Sequence, residues 1–214
     1  MPGALELTLA GEPVQVLAGR ALFWPRRQRL LVADVHLGKG NIFRAAGIAV
    51  PSGGTGHDLA RLDRLLRQSG AAELWILGDF LHGARHLDVE QAWRTLLAAH
   101  PQVEVTVVAG NHDRALKPAA LGVALLPGDV VDGPFRFRHH PLGDRAGEGA
   151  HVLCGHLHPV VRLPGLPRQY PAFLLGDGQT VLPAFSAFTG GWRIDDPDAQ
   201  WIACADGELL ASRW

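Results

Sequence analysis

The first half of the chain alternates short apolar runs with stretches in which apolar residues recur at helical spacing. Leu5, Leu7 and Leu9 alternate with polar residues, which is the period-two pattern of a half-buried strand. Residues 29–33 form a nearly unbroken apolar run, as in a strand that is buried on both faces. Similar patterns predict further strands over residues 14–17, 21–24, 73–77 and 103–109.

Two helices are predicted between these strands. Leucines recur at helical spacing over residues 57–68, and Gly70 stands where a C-terminal cap belongs. Residues 88–100 form the second predicted helix, in which Asp88 is the N-cap and Gln91 completes a capping box.

The second half of the chain is predicted to consist mainly of strands, over residues 135–138, 151–154, 181–182, 201–204 and 209–210. This order predicts a mixed α/β domain with one or two central sheets flanked by helices. Residues 38–56 contain glycine and proline and are predicted to form a loop with room for one helical turn. No repeat, low-complexity tract or linker interrupts the sequence, so we expect a single domain over residues 1–214.

The composition fits a folded domain with a substantial core. Hydrophobic residues make up 47% of the 214 residues, and charged residues make up 19%. The net charge is -1, so an anionic substrate must be attracted by metal ions or by a local basic patch. Cys154 and Cys204 lie in apolar stretches and are expected to be buried free thiols. The N-terminal segment lacks the basic and apolar regions of a signal peptide, and no apolar run reaches the length of a membrane span, so we expect a cytoplasmic protein.

Five short segments that contain metal-ligand residues follow predicted strands. In α/β sheets, sites form beyond the carboxyl ends of strands, so these segments are expected to meet there. They are Asp34-Val-His36, Gly78-Asp79, Gly110-Asn-His-Asp113, His139-His-Pro141 and Gly155-His-Leu-His158.

The residue types suggest how these segments share metal ions. Asp34 and His36 are two residues apart, so both side chains can reach one ion. Asp79 has two carboxylate oxygens and could bridge two cations about 3.5–4 Å apart. His156 and His158 place two imidazoles on one face of an extended segment, which is good metal geometry. Each motif taken alone could also be a cap, a turn or a surface histidine.

The third and fourth segments contain candidates both for metal ligands and for a catalytic acid. Asn111 offers a neutral amide oxygen, whereas His112 beside it would point differently and is a better candidate for protonating a leaving oxygen. Asp113 could orient that ring. His139 and His140 stay ambiguous from the residues alone, although the alternation of the preceding strand places His139 on its apolar face.

Carboxylate, imidazole and amide oxygen make up the ligand set, without thiolate. Two divalent cations suit it, with Mn²⁺ favoured on the oxygen-rich side and Fe²⁺ or Zn²⁺ as alternatives. Such a pair polarises phosphoryl oxygens and supplies a hydroxide for in-line attack on phosphorus.

The order of these motifs resembles the calcineurin-like metallophosphoesterase superfamily over residues 30–160. The resemblance implies a four-layer αββα sandwich with two central mixed sheets and a dinuclear site. It also implies that His112 is the catalytic histidine, and the His-x-Pro pattern selects His139 over His140. One ion would be held by Asp34, His36, Asp79 and His158. The other would be held by Asp79, Asn111, His139 and His156.

Longer strings are similar to the PdeM family of bacterial ligase-associated DNA damage response endonucleases. They include Asp34-Val-His-Leu-Gly-Lys39, Leu77-Gly-Asp-Phe-Leu-His82 and Gly155-His-Leu-His-Pro159. This resemblance spans most of the chain and implies a Mn²⁺-dependent phosphodiesterase and DNA endonuclease of DNA repair. It also implies functional association with a helicase, an exonuclease and a DNA ligase. His82 departs from the wider superfamily, in which an acidic residue is common at this position.

The residues themselves support DNA as the substrate only in part. Lys39 and Arg44 follow the first ligand motif and could hold phosphates. Arg26, Arg27 and Arg29 form a small basic cluster that is also explained by a solvated turn. A small-molecule phosphodiesterase or nucleotide pyrophosphatase on the same scaffold stays an alternative. An inactive scaffold protein is a further one, against which the complete set of ligand positions argues.

Overall fold

Two facing β-sheets form the centre of the molecule. The computed structural model describes residues 3–45, 47, 53–82, 87–143 and 149–212. Within them, seven strands form the first sheet in sequence order: β1 (Ala4–Leu9), β2 (Glu12–Leu17), β3 (Ala21–Trp24), β4 (Arg29–Val32), β5 (Glu73–Leu77), β6 (Glu104–Val108) and β7 (Ala124–Leu126).

The remaining described strands form the second sheet. They are β8 (Val130–Asp132), β9 (Phe135–Phe137), β10 (His151–Cys154), β11 (Pro159–Arg162), β12 (Gln169–Gly176), β13 (Gln179–Val181), β14 (Trp192–Arg193), β15 (Gln200–Ala205) and β16 (Glu208–Ala211). Their order is β14-β11-β12-β13-β10-β9-β8, and β15 joins β12 to β16.

The first sheet is antiparallel from β1 to β4 and parallel from β4 to β7. Parallel neighbours need crossover connections, and helices supply them here. The described helices are α1 (Lys39–Ala45), α2 (Gly54–Ser69), α3 (Leu87–Ala99) and α4 (Pro118–Leu121). In the second sheet, β9, β10 and β13 are parallel neighbours. The candidate ligands follow the carboxyl ends of five of these strands, β4, β5, β6, β9 and β10.

The core between the two sheets is built from alternate residues of their strands. Leu31 and Trp75 of the first sheet share one apolar cluster with Phe137, Leu153 and Phe173 of the second. Because successive side chains of a strand point to opposite faces, their chain neighbours belong to other clusters. The inner faces of the sheets therefore pack directly on one another.

The helices cover the other face of the first sheet. Leu30 and Ile76 from that face pack with Leu62 of α2, Trp93 of α3 and Leu121 of α4. Among the described residues, the apolar clusters on the outer face of the second sheet contain no helical residue. The predicted mixed α/β class with two central mixed sheets is confirmed.

The element boundaries differ from the predictions where local pattern and tertiary contacts disagree. Helix α1 occupies seven residues of the segment predicted as a loop with one helical turn. Helix α3 begins at Leu87, so Asp88 lies in its first turn and not at the predicted N-cap position. Strand β12 was not predicted, because Pro171 lies within it and Gly176 ends it.

Two predictions that bear on the environment of the protein can be compared with the structure. Cys154 and Cys204 are both buried and free, as predicted. In the part of the chain that the structure describes, helices are too short or too polar to cross a membrane.

Candidate metal centre

The candidate ligands converge on one edge of the two sheets. Asp34 follows β4, Asp79 follows β5 and Asn111 follows β6, which are parallel neighbours and therefore end at the same edge. His139 and His156 follow β9 and β10, which are parallel neighbours in the second sheet. The topology thus brings polar residues that are far apart in sequence into one place.

A short backbone connection fixes the two sheets against each other at this edge. Ala33 forms an isolated parallel bridge with Ala184. The N–H of Phe185 donates to the carbonyl of Ala33 at 2.7 Å, and the N–H of Ser186 donates to the carbonyl of Asp34 at 3.2 Å. The position of Asp34 is therefore set by residues from both halves of the chain.

Five of the seven predicted metal ligands have a left-handed backbone conformation. Their φ angles lie between 47° and 72°, in a region that costs non-glycine residues roughly 1 kcal/mol or more. Such conformations persist only where the surrounding contacts impose them, and they cluster at functional sites. These five residues are Asp34, His36, Asp79, His156 and His158.

Three buried polar atoms that have no hydrogen-bond partner among the described residues mark the first candidate ion position. They are Oδ1 of Asp34, Nε2 of His36 and Nε2 of His158. Ligand atoms of these three residues lie within 4.8 Å of one another. A buried polar atom left unpaired costs about 1–3 kcal/mol, and a cation at this point would satisfy all three. The residues therefore fit a metal ion.

The second candidate position lies around His139. Nε2 of His139 is 2.9 Å from Oδ1 of Asn111 and 3.1 Å from Nδ1 of His156. Ligand atoms of Asp34, Asp79 and His139 also lie within 4.8 Å of one another. Imidazole nitrogens and carboxylate oxygens of this kind are ligands for divalent transition metals.

Asp79 lies between the two positions. Its Oδ2 atom is 3.8 Å from Nε2 of His36, 3.5 Å from Nε2 of His139 and 4.0 Å from Nε2 of His112. Its Oδ1 atom accepts a hydrogen bond of 2.9 Å from the N–H of His112. One oxygen of Asp79 is thus fixed, and the other faces three imidazoles, as a bridging carboxylate requires.

The glycines that precede two of the motifs are required by close packing. A Cβ atom on Gly78 would lie 2.1 Å from Nδ1 of His139, and Gly78 also has a φ of +81°. A Cβ atom on Gly155 would lie 2.4 Å from Oδ2 of Asp34. Substitution at either position would displace a candidate ligand.

His139 and His140 occupy different environments. His139 is buried, and its Nδ1 lies 3.2 Å from the carbonyl of Leu77. His140 is exposed, with its ring centroid 4.2 Å from that of His156. The contacts of His139 with Asn111 and Asp79 favour it as the ligand, in line with the strand alternation.

His112 and Asp113 have separate surroundings. The His112 side chain is 42% exposed beside Asp79, so its ring is open to a bound substrate. Asp113 is buried and accepts hydrogen bonds from the N–H groups of Gly110, Phe80 and Leu81, at 2.9, 2.9 and 3.3 Å. These contacts tie two ligand-bearing loops together, which is a different role from orienting the His112 ring.

His82 is a site residue whose role was not predicted. Its Nδ1 lies 3.2 Å from Nδ1 of His36, and its ring stacks on that of His112 at 4.9 Å between centroids. The signal in the sequence was its position three residues after Asp79, and in the structure the preceding Leu81 forms a parallel bridge with Leu37 beside the first ligand motif. Only the folded chain shows that the ring contacts two candidate functional histidines.

Burial favours the neutral form of several imidazoles in the centre, which is the form that binds metals. Burial is the main cause that lowers the pKa of His36 to about 2, and the nearby Lys39 adds to this effect. Burial also lowers the pKa values of His82, His140 and His156. Protonation therefore does not compete with metal binding at His36 and His156 at neutral pH.

Two predicted substrate contacts lie on α1. Lys39 is half-buried, and burial lowers its pKa although Asp34 and Asp79 oppose the shift. Arg44 is exposed and lines a cavity of about 220 Å³ with Gly40 and other residues. Both lie next to the centre along the chain.

The predicted basic cluster is neutralised by ion pairs. Arg26 pairs with Glu12 at 2.5 Å, and Arg27 pairs with Asp132. Arg29 is buried and pairs with Glu73 at 2.6 Å. This cluster offers little free charge to a nucleic acid.

The fold and the constellation of histidines and carboxylates define a metal-dependent phosphoesterase. The chain matches the model of the calcineurin-like phosphoesterase family over residues 29–183 and belongs to this family. It is therefore a hydrolase, as predicted. The crystal structure of the nuclease MPE from Pseudomonas putida is similar, with a TM-score of 0.83 and 35% sequence identity. That match covers 97% of this chain and 100% of the nuclease, which is consistent with the resemblance to PdeM endonucleases.

A second solved structure, a protein of unknown function from Aquifex aeolicus, matches with a TM-score of 0.45 and 18% identity. It covers 61% of this chain and 78% of that chain, and the likeness is too weak to bear on function. No curated protein sequence matches the chain.

Proposed function

We propose that the protein is a dinuclear metal-dependent phosphodiesterase that cleaves DNA. The observation that carries the proposal is the position of Asp79 between two ligand groups, one of which ends in three unpaired buried atoms. One ion is assigned to Asp34, His36, Asp79 and His158. The other is assigned to Asp79, Asn111, His139 and His156.

Side chains of the protein have separate roles in binding and cleaving the phosphodiester. Two divalent cations, when bound, supply charge stabilisation for the phosphoryl oxygens and a nucleophile near neutral pH. His112 is fixed through its backbone N–H to Asp79, while its exposed ring can donate a proton from Nε2 to the leaving oxygen. Lys39 is placed to attract the phosphate backbone, because its ammonium group lies near Asp34 and Asp79 at the start of α1.

Mn²⁺ is the proposed metal, because two of the four residues assigned to each ion are oxygen ligands and thiolates are absent from the described ligand groups. DNA is the proposed substrate because the similar Pseudomonas putida protein is a nuclease. A role in DNA repair beside a helicase, an exonuclease and a ligase rests on the PdeM resemblance.

Cleavage of single-stranded circular DNA with increasing Mn²⁺ tests this function. Cyclic nucleotides and dinucleoside polyphosphates serve as competing substrates, and Asp79→Asn is the control for the metal centre. We expect nicking of DNA by the wild type and its loss in the variant. Turnover of the small substrates without nicking of DNA at any metal concentration would favour the small-molecule alternative. Absence of turnover on every substrate would favour the inactive scaffold.

A further inference from the structure

A basic cavity lies between α2 and two turns, and none of the candidate metal ligands lines it. Its volume is about 420 Å³, within the size range of small-ligand sites. Residues 17–20 form one wall, and Cys204, Asp206 and Gly207 form another. The third wall is the face of α2 that carries Arg61, Arg64 and Gln68.

The cavity holds more positive than negative charge. Arg20, Arg61 and Arg64 all line it. The buried carboxylate near them is Asp58, which pairs with Arg61 at 2.8 Å. Asp206 also lines the cavity, but it is 71% exposed and paired with Arg168. Within the described residues, Arg64 has no acidic partner, so about one positive charge in the interior and one at the rim are left uncompensated.

The two inner arginines are held close together although they repel each other. Burial lowers the pKa of Arg20, and the charge of Arg61 lowers it further. The Arg61 side chain is only 18% exposed, and among the described residues its Nε atom is buried without a hydrogen-bond partner. The uncompensated positive charge of two neighbouring guanidinium groups would attract an anionic group to the cavity wall.

The same arginines contact the backbone that positions a candidate metal ligand. Nη1 of Arg20 donates to the carbonyl of Ser186 at 3.1 Å and to that of Phe185 at 3.4 Å. Arg61 also donates to the carbonyl of Phe185. The N–H of Ser186 in turn donates to the carbonyl of Asp34. A ligand in the cavity would therefore act on a segment that reaches the metal centre directly.

We propose that this basic cavity binds a phosphate monoester, either as a free mononucleotide or as the phosphorylated end of a nucleic acid strand. Arg64 and Gln68 would receive the phosphate at the rim, and the positive charges of Arg20 and Arg61, which also line the cavity, would attract it from inside. Guanidinium groups suit this role because their fork of N–H donors matches phosphate oxygens. The proposal concerns a second site and does not depend on which substrate the metal centre cleaves.

Calorimetric titration tests this site. The protein is first treated with chelator, so that the phosphorylated probes cannot bind to metal ions at the metal centre. The probes are deoxyadenosine 5′-monophosphate, a 5′-phosphorylated trinucleotide and the same trinucleotide without its terminal phosphate. Arg64→Gln is the test variant, because Arg64 is exposed and its loss should leave the fold intact. Arg67→Gln is the matched control, since Arg67 lies on the same helix, is 61% exposed and points outside the cavity lining.

We expect the phosphorylated probes to bind the wild type and the Arg67 variant, and to bind the Arg64 variant about tenfold more weakly. Hydrogen exchange should slow in peptides that cover residues 17–20 and 61–68 of the wild type. Equal affinity for both mononucleotide and trinucleotide would identify a free nucleotide as the ligand, and tighter binding of the trinucleotide would identify a strand end. Equal binding of the unphosphorylated trinucleotide, equal affinity in the two arginine variants, or no binding would overturn the proposal.

Discussion

Replacing His82 by Ala tests how the first candidate ion position is organised. Nδ1 of His82 lies 3.2 Å from Nδ1 of His36, and burial lowers the pKa values of both rings, so both are neutral. Two neutral imidazoles can share only one N–H···N hydrogen bond. A cation at Nε2 of His36 needs the lone pair of that nitrogen, so Nδ1 of His36 must carry the proton and His82 must accept it.

The expected magnitude follows from this hydrogen bond. Loss of a partner that orients a metal-bound histidine typically weakens metal binding about 10–100-fold, or roughly 1.4–2.8 kcal/mol. His36 is almost fully buried, which favours a large effect. However, His82 is only half-buried, so water can enter the space left by its ring and replace the acceptor. We therefore expect the lower end of the range, about tenfold.

Equilibrium binding of Mn²⁺ measures the effect. Wild type, His82→Ala, His82→Gln and His57→Ala are compared at neutral pH. The amide oxygen of the glutamine variant can accept the same hydrogen bond and should restore part of the affinity. His57 is exposed on α2 and serves as the control. Unchanged Mn²⁺ affinity in His82→Ala would refute the assigned proton position and the role of His82 as a positioning residue.

Three further substitutions test other parts of the structure. His112→Ala should keep its bound metal but lower kcat about 10²–10⁴-fold, because it removes a proton donor, and loss of metal in that variant would contradict the assignment. Gly155→Ala should weaken Mn²⁺ binding, because the added methyl group would meet Oδ2 of Asp34 at 2.4 Å. Gly143→Ala, where a Cβ has no neighbour within 4 Å in the part of the chain that the structure describes, should bind Mn²⁺ normally. Burial lowers the pKa of His151, so the folded state binds fewer protons than the unfolded state below about pH 6.5. Wild-type stability should therefore fall relative to His151→Gln as the pH drops below that value, and parallel urea-unfolding midpoints across this range would argue against the shift.

The strand-end motifs could be predicted because their signals are local in the sequence. Asp34 and Asp79 directly follow apolar runs, and parallel pairing then brings those ends together. The same reasoning placed His139 on the apolar face of its strand, and the structure buries it there. Local pattern and sheet topology together account for most of the candidate centre.

The contacts that could not be predicted join residues far apart in sequence. His82 meets His36 across 46 positions, and Asp113 accepts hydrogen bonds from Phe80 and Leu81 across about 30 positions. Neither contact follows from periodicity, since each depends on how two loops pack beyond the strand ends. The basic cavity could not be predicted for the same reason, because Arg20 is distant in sequence from α2.

The proposed function requires two metal ions that share Asp79 for the cleavage of DNA. The most direct test is the rate of nicking of single-stranded circular DNA as a function of Mn²⁺ concentration, in the wild type and in Asp79→Asn. We expect a nicking rate that is zero with chelator, rises with Mn²⁺ and is at least about 10³-fold lower in the variant. Nicking that persists with chelator, or that is equal in Asp79→Asn, would contradict it.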